Sequence, residues 1–513
     1  MRLRFPLRLS ELPRRALRLA PQGAFYRPLL AVVLAGLVIR IIVMVTYSTS
    51  VFLFQTGDSA RYARLPLNGA STGLFSDYAS PAGYPIFLAL IRSFSRAMPV
   101  TIAVQHGLGI VSALLLYAAM RRVGASKIAA TVPAALVLLS GDEIFLEHVL
   151  LTESLWTLLV FVGLYGLIRA AQTRWTPERW LVVGGVGLAC ATLVRQVTAP
   201  LLVIAAIFGA VCVAGSVGRR IRAAALVIGS AAALLLLYAG IAHLDGGNTG
   251  LGKQTGFQLY GRVAQFADCR KFTPPRGTRV LCQETPSSDR PGPQYYLFGD
   301  MSPLARHFRR GYSDKALGEF ARRAIIHQPG AYAGAVLEEF ARIVGFRGAR
   351  FGDGYDPNIM RFDYQRPSGA IAKTAEGAMA VFASRYTHMR AVPHRGWARR
   401  LGLYQAIVRL HEQLVIPLAL LALLGAVFAS TRMRAGIVLF ISCAFALYVL
   451  PSMTALWDVR YGVLPGEILA SAATLGASAL AIRVSQGLLP LSTTLRRRVR
   501  RWPPARARAS STD

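Results

Sequence analysis

Long apolar stretches alternate with short polar segments along most of the chain. Most of these stretches run for about 20 residues, the length that crosses a bilayer as a helix. Ten of them are predicted to span a membrane: 28–49, 101–120, 127–142, 149–169, 180–196, 197–215, 221–243, 412–430, 435–456 and 462–483. The apolar segment 82–96 is too short to span, and it is predicted to be a helix lying at the membrane interface.

Two parts of this pattern are ambiguous. Segment 127–142 is short and contains a proline. The block 180–215 is interrupted only by Arg195 and Gln196, so it is too long for one upright helix and tight for two. If it is one helix, the number of crossings becomes odd and the polar region 244–411 moves to the other side of the membrane.

The positions of the charged residues give an orientation. The formal net charge is +33, and much of it lies in the two tails and in alternate short loops, as the positive-inside rule requires. The acidic loop 141–148 carries no Lys or Arg and is predicted to lie outside. This placement favours membrane topology and anionic lipid headgroups over nucleic acid as the reason for the positive charge.

The predicted fold is therefore an all-α polytopic protein of the cell (plasma) membrane with both termini in the cytoplasm. Its predicted parts are a basic tail, an N-terminal transmembrane module with a first outer loop at 50–100, an extracytoplasmic domain, a C-terminal group of helices and a second basic tail. In chain order these parts are 1–27, 28–243, 244–411, 412–483 and 484–513. Helical patterns occur near 314–328 and 330–345 in the extracytoplasmic domain.

Four ionisable residues fall at the same predicted depth, the outer membrane face. They are Asp58, Glu153, Arg195 and Arg460. An ionisable group at such a depth is costly unless it is used. A carboxylate there can deprotonate a hydroxyl nucleophile, and a guanidinium can pair with a phosphate leaving group.

Each of these residues also has a structural interpretation. Asp58 could cap a helix N-terminus, and Glu153 could interact favourably with the positive end of a helix dipole. Arg195 could extend to the interface, and Arg460 could form a surface ion pair with Asp458. The four together favour chemistry more strongly than any one of them does.

Cysteines and histidines add one candidate pair and no metal site. Cys269 and Cys282 lie in the predicted extracytoplasmic domain, where a disulfide is expected. The other three cysteines lie in apolar segments and are predicted to be packing residues. The eight histidines are scattered without ligand spacing. No cofactor is predicted, and a divalent metal is not indicated.

Five short motifs resemble those of the GT-C glycosyltransferases, the superfamily that includes protein O-mannosyltransferases and lipid A aminoarabinose transferases. The motifs are Gly57-Asp58-Ser59-Ala60-Arg61-Tyr62, Pro81-Ala82-Gly83-Tyr84-Pro85, Leu150-Leu151-Thr152-Glu153-Ser154, Ala191-Thr192-Leu193-Val194-Arg195, and Arg460-Tyr461 followed by Pro465. The resemblance runs from the first span to about residue 200, with the last outer loop in addition. One departure is Ser59, which stands where a second acid often follows the first.

The resemblance implies a reaction and a set of roles. Asp58 would be the general base and Glu153 a second catalytic acid, and Arg195 would meet the carrier phosphate. Tyr62, Tyr84, Arg460 and Tyr461 would join Arg195 in substrate binding.

The donor would be a polyprenyl-phosphate-linked sugar, and the acceptor a hydroxyl of a glycan, lipid or protein. The alternatives are a lipid or glycan transporter or flippase, a polymerase or ligase of cell-wall glycans, and a non-catalytic anchor for the extracytoplasmic domain.

Overall fold

The computed structural model describes most of the chain. The residues that it describes are 26–47, 57–64, 74–75, 77, 79–173, 176–213, 215–245, 249–252, 254–308, 311, 313–348, 360–363, 386–388, 395–454 and 458–499. Within these ranges the structure is helical, with one isolated β-bridge and no β-strand. In chain order the α-helices are α1 Arg27–Thr46, α2 Gly57–Arg64, α3 Gly83–Phe94, α4 Met98–Arg122, α5 Lys127–Leu139, α6 Gly141–His148, α7 Glu153–Gln172, α8 Pro177–Val194, α9 Ala199–Cys212, α10 Val217–Leu244, α11 Thr255–Ala264, α12 Pro293–Phe298, α13 Pro303–His307, α14 Asp314–His327, α15 Pro329–Ile343, α16 Arg395–Ile407, α17 Val415–Phe428, α18 Thr431–Thr454 and α19 Val463–Val499.

The apolar helices confirm an all-α polytopic membrane protein. Eight helices in the described ranges are long and apolar enough to cross a membrane, and a bent pair brings the number to nine. Every one of the ten predicted spans coincides with a helix. The helix of the predicted span 197–215 is α9, which has only 14 residues.

The ambiguous block 180–215 forms two helices. α8 ends at Val194, Arg195 is extended (φ −144°, ψ 114°), and α9 begins at Ala199 after a single 3-10 turn. Pro200 lies in the first turn of α9, where its missing N–H costs nothing. The break exposes the backbone around Arg195, and it therefore sets the direction in which this side chain leaves the helices.

The acidic segment 141–148 differs from its predicted form. It is helix α6 rather than a solvated loop, and it follows α5 at a bend of 47°. Glu143, Glu147 and His148 on it are buried. Gly141 allows this close packing, because a Cβ there would lie 2.5 Å from Cα of Gln405.

A buried ionic cluster explains why α6 turns inward. Arg40 of α1 donates from Nε to Oε2 of Glu147 over 2.7 Å, and it also donates to the carbonyl of Leu138 over 2.7 Å. Nδ1 of His106 lies 2.7 Å from Oε2 of Glu147, and Nε2 of His106 lies 3.3 Å from Nδ1 of His148. The carboxylate of Glu147 therefore exchanges hydration for a guanidinium and an imidazole inside the helix bundle.

The segment expected at the interface is helix α3, of only 12 residues. Leu88 and Ile91 are buried against the bundle, whereas Leu90 and Phe94 are exposed. Gly83 lets α3 approach the break between α8 and α9, because a Cβ there would lie 2.4 Å from the carbonyl oxygen of Leu193.

Residues 254–308 and 313–348 contain none of the described helices that are long and apolar enough to cross a membrane, and we call them the extramembrane region. Most of their buried apolar residues form a second core, whereas Ile343 and Val344 at the end of α15 pack into the main core. Helices α14 and α15 confirm the helical patterns predicted near 314–328 and 330–345. Cys269 and Cys282 form a disulfide, with their Cα atoms 5.8 Å apart. The carboxylate of Asp314 accepts hydrogen bonds from the backbone N–H groups of Gly256 and Phe257 and so caps the start of α11.

Helix α16 lies outside the extramembrane region, although it falls within the predicted domain 244–411. Ala398 and Leu401 belong to the main hydrophobic core that the membrane helices share. Gln405 of the same helix donates to Asp142 and to the carbonyl of Met360.

Candidate active site

Asp58 lies in the first turn of α2. Oδ1 of Asp58 accepts a hydrogen bond from Nη2 of Arg61, 3.1 Å away and one helical turn on. Oδ2 accepts from Nη2 of Arg460 over 2.6 Å, across 402 positions of sequence. About a third of the Asp58 side chain (32%) is exposed. The carboxylate is therefore held on one side and accessible on the other.

Arg460 lies on a 3-10 helix, Val459–Gly462, directly before α19. Asp458 caps this helix, because its Oδ1 accepts from the backbone N–H of Arg460 over 3.3 Å. Its Oδ2 accepts from Nε of Arg460 over 3.0 Å. Asp458 is only 4% exposed, so this pair is buried and is not the surface ion pair considered above.

Glu153 begins α7 and faces both arginines. Its Oε1 accepts a hydrogen bond from Nη1 of Arg195 and lies 3.7 Å from Nε of Arg460. The Arg195 side chain is mostly buried, with 15% of it exposed. Its guanidinium lies between two rings, with Cζ 4.8 Å from the centroid of Trp156 and 4.5 Å from that of Tyr461.

The four ionisable residues predicted to converge thus form one connected network. Arg460 is its centre, because a single guanidinium contacts carboxylates of Asp58, Glu153 and Asp458. The site is assembled at the ends of α2, α7, α8 and the 3-10 helix before α19. We call Asp58, Glu153, Arg195, Asp458 and Arg460 the ion network.

Two further charged residues, Arg61 and Asp77, flank the network. Neither is among the site residues predicted from the sequence. Nη1 of Arg61 lies 3.5 Å from Oδ2 of Asp77, and its Nη2 also donates to Ser80 over 3.1 Å. Arg61 stands one turn after Asp58 inside the first motif, a spacing that could have identified it. Asp77 lies in a Gly/Ser/Asp-rich loop, where an acid carries no such signal.

Opposing effects set the pKa of Asp58. Burial raises it, but the positive charges of Arg460 and then Arg61 outweigh burial and lower the pKa from 3.8 to about 2. Asp58 is therefore ionised at neutral pH. It is also a weak base for as long as Arg460 holds it.

The predicted substrate-binding tyrosines lie at different depths. The ring of Tyr461 contacts both guanidiniums of the network, and Cζ of Arg460 lies 5.2 Å from its centroid. Tyr62 lies next to Asp58, with its hydroxyl 3.3 Å from Nη2 of Arg61. Tyr84 lies behind Tyr62 in an edge-to-face contact (5.1 Å between centroids), and its hydroxyl donates to Gln105 over 2.6 Å. The roles of Tyr62, Tyr84 and Tyr461 in substrate binding stay predictions.

Among the residues that the structure describes, no group of three or more His, Cys, Asp or Glu side chains is arranged to hold a metal ion. The carboxylates of the ion network pair with guanidiniums instead, and metal dependence stays an open prediction.

Comparison with known proteins gives one family match. Residues 103–225, about a quarter of the 513 residues, match the family described as dolichyl-phosphate-mannose-protein mannosyltransferase. No curated protein matches the chain. Among solved structures, the crystal structure of the Archaeoglobus fulgidus oligosaccharyltransferase, tethered to an acceptor peptide containing an NVT sequon, is similar at 13% identity and a TM-score of 0.41. The match covers 89% of this chain and 50% of that one, so the chain spans about half the length of the solved structure.

The family match confirms the resemblance to GT-C glycosyltransferases drawn from the motifs. The matched residues run from α4 into α10 and contain Glu153 and Arg195. The match therefore makes this part of the chain similar to a family of membrane glycosyltransferases. Asp58 and Arg460 lie outside the matched residues, and their place in the site rests on the geometry above.

Proposed function

We propose that this protein transfers a sugar from a polyprenyl-phosphate carrier to an acceptor hydroxyl, with inversion at the anomeric carbon and with Asp58 as the general base. One observation carries the proposal. A partly exposed carboxylate and two guanidiniums, each from a different part of the chain, meet in one network beside a single aromatic ring. The site would act at the cell membrane on lipid-linked donors and on glycan, lipid or protein acceptors.

The two guanidiniums suit a phosphate monoester or diester. Arg195 and Arg460 lie against the same Tyr461 ring, 4.5 and 5.2 Å from its centroid. An anion bound between them would receive charge-assisted hydrogen bonds from two planar donors, the geometry that favours phosphate. Developing negative charge on a leaving phosphate would be stabilised by the same groups.

Donor binding would also activate the base. In the structure Nη2 of Arg460 is committed to Asp58, which keeps the pKa of Asp58 near 2. A phosphate that draws this guanidinium away removes the largest charge that lowers the pKa, whereas burial of the carboxylate persists. Asp58 then becomes a stronger base when the donor is in place, and only then.

The transfer step balances without any group beyond donor and acceptor. The acceptor O–H gives its proton to Asp58 as the oxygen forms a bond to the anomeric carbon. The bond between that carbon and the phosphate oxygen breaks, and polyprenyl phosphate leaves with the electron pair. Attack from the face opposite the leaving group inverts the anomeric configuration.

The first test is Asp58→Asn in the full-length protein in proteoliposomes. Release of polyprenyl phosphate from a radiolabelled polyprenyl-phosphate hexose is measured with a cell-envelope fraction as the acceptor source. General-base catalysis contributes about 10²- to 10⁴-fold, so the release rate should fall by at least about 100-fold. Asp289→Asn is the matched control, because Asp289 is exposed and its side chain accepts a hydrogen bond only from Ser288 among those described.

Retention of full release by Asp58→Asn would show that Asp58 is not the base. Absence of release by the wild-type protein, with movement of the labelled lipid across the vesicle membrane, would favour the transporter or flippase alternative.

A further inference from the structure

The C-terminal end of α18 leads directly into the active site. Helix α18 ends at Thr454, and the 3-10 helix that carries Arg460 begins at Val459. Pro451 and Met453 lie in the last turn of α18 that the structure describes. Contacts to this turn hold the end of α18 that precedes the Arg460 segment.

Two carbonyls of this turn accept hydrogen bonds from the extramembrane region. The hydroxyl of Tyr332, on α15, donates to the carbonyl of Met453 over 2.9 Å. Nη2 of Arg262, on α11, lies 3.5 Å from the carbonyl oxygen of Pro451. Side chains far away in sequence thus contact the end of α18, and a guanidinium suits the negative end of the helix dipole.

Arg262, one of the two side chains that contact α18, is itself part of a buried ion pair. Arg262 is fully buried, and its Nη1 lies 3.3 Å from Oε2 of Glu339 on α15. Nη1 of Arg342 lies 3.5 Å from the same oxygen. This pairing links α11, which carries Arg262, to α15, which carries Tyr332. The extramembrane region therefore contacts the end of α18 at two carbonyls, those of Pro451 and Met453.

We propose that Arg262 and Tyr332 are positioning residues, through which the extramembrane region sets the place of Arg460 in the active site. They do not touch the reacting groups. They fix the carbonyls of Pro451 and Met453, and Asp458 and Arg460 follow within seven residues of Met453. An acceptor or partner that shifts the extramembrane region would then change how Arg460 holds Asp58 or the donor phosphate. This last consequence rests on the proposed function, whereas the positioning does not.

The test is Tyr332→Phe, which removes one hydroxyl and keeps the ring. Tyr295→Phe is the matched control, because the hydroxyl of Tyr295 also donates to a backbone carbonyl, that of Met301, over 3.1 Å within the extramembrane region. Amide hydrogen exchange is measured on a peptide that covers 458–462 in the full-length protein in detergent micelles. The N–H of Tyr461, which donates to the carbonyl of Asp458 over 2.8 Å, reports on the 3-10 helix.

Exchange in this peptide should become about two- to tenfold faster in Tyr332→Phe, the range that loss of one neutral hydrogen bond allows, and should not change in Tyr295→Phe. Equal exchange in the two variants and the wild type would overturn the positioning role. Equally faster exchange in both variants would overturn it too, because it would show a general loosening.

A second measurement uses activity and a double-mutant cycle. Tyr332→Phe should raise the KM for the polyprenyl-phosphate hexose. Tyr295→Phe should leave this KM at the wild-type value. In an Arg460→Lys background the same change should add little, because the group being positioned has been altered. Full additivity would refute action through Arg460. If the wild-type protein transfers no sugar, the exchange result still decides the positioning role, and only the proposed function fails.

Discussion

Replacing Arg460 by Gln is the most informative change that the ion network offers. Glu153 would keep Arg195, and Asp58 would keep Arg61. Asp458 would lose its side-chain partner, since its described side-chain contacts are all with Arg460. The variant therefore isolates one buried carboxylate.

The size of the effect follows from burial. Asp458 is 4% exposed, and removing one partner of a buried ion pair costs about 3–5 kcal/mol because the other charge remains buried. Asp458 can lower this cost by taking up a proton, since burial already raises its pKa even with Arg460 present. We expect a loss near the lower end of the range, about 3 kcal/mol, at neutral pH.

The pH dependence has a definite sign. A carboxyl group whose folded-state pKa lies above its unfolded-state pKa favours folding most below the unfolded value, and this contribution is lost as pH rises through the folded value. Arg460→Gln should therefore be closest to the wild type in acid and furthest from it above neutral pH. Adding Asp458→Asn should restore most of the stability, and the release of polyprenyl phosphate should stay low.

Thermal unfolding of the purified protein in detergent micelles, followed by tryptophan fluorescence from pH 5 to pH 9, measures these differences. Arg270→Gln is the control, because Arg270 pairs with Asp268 at the same spacing but is 91% exposed. It should leave the unfolding temperature unchanged. A variant as stable as the wild type at every pH, or a double variant no more stable than the single one, would refute the idea that Asp458 depends on Arg460.

Two further predictions concern stability. Gly109→Ala should destabilise the protein by about 1–3 kcal/mol, because its Cβ would lie 1.7 Å from Oε1 of Glu147, whereas Gly107→Ala on the same helix meets nothing within 4 Å and should be tolerated. Thermal unfolding compares the two variants, and equal stability would contradict the packing described around Glu147. Replacing both Cys269 and Cys282 by Ser opens a loop with a sequence separation of 13 and should destabilise the extramembrane region by about 3 kcal/mol, without changing the membrane helices. Limited proteolysis followed by mass spectrometry checks this, and cleavage that appears first in the membrane helices would contradict it.

The helices could be predicted from sequence because their signal is local. Apolar length identified the helix of every predicted span, and the polar pair beginning at Arg195 marked the break between α8 and α9. The prediction of a loop at 141–148 was wrong because the burial of this segment depends on distant partners. Glu147 pairs with Arg40, 107 positions away, and with His106.

The same distinction applies to the site. Asp58, Glu153, Arg195 and Arg460 could be selected because each ionisable group falls at a predicted membrane face. The burial of Asp458 leaves no local signal, because its partner Arg460 is held by Asp58 and Glu153, which lie far away in sequence. The contact between Tyr332 and the end of α18 leaves no sequence signal either, because it joins residues 121 positions apart.

The distribution of the ion network along the chain also bears on biogenesis. Asp58, Glu153 and Arg195 are synthesised and inserted long before Arg460, which joins them from 402 positions beyond Asp58. Until the ribosome has passed that point, Asp58 and Glu153 lack the guanidinium that links them. A nascent chain therefore cannot assemble the complete network while it is still leaving the translocon. Two separately expressed halves, divided within the extramembrane region, should recover the network only if their helices associate in the bilayer.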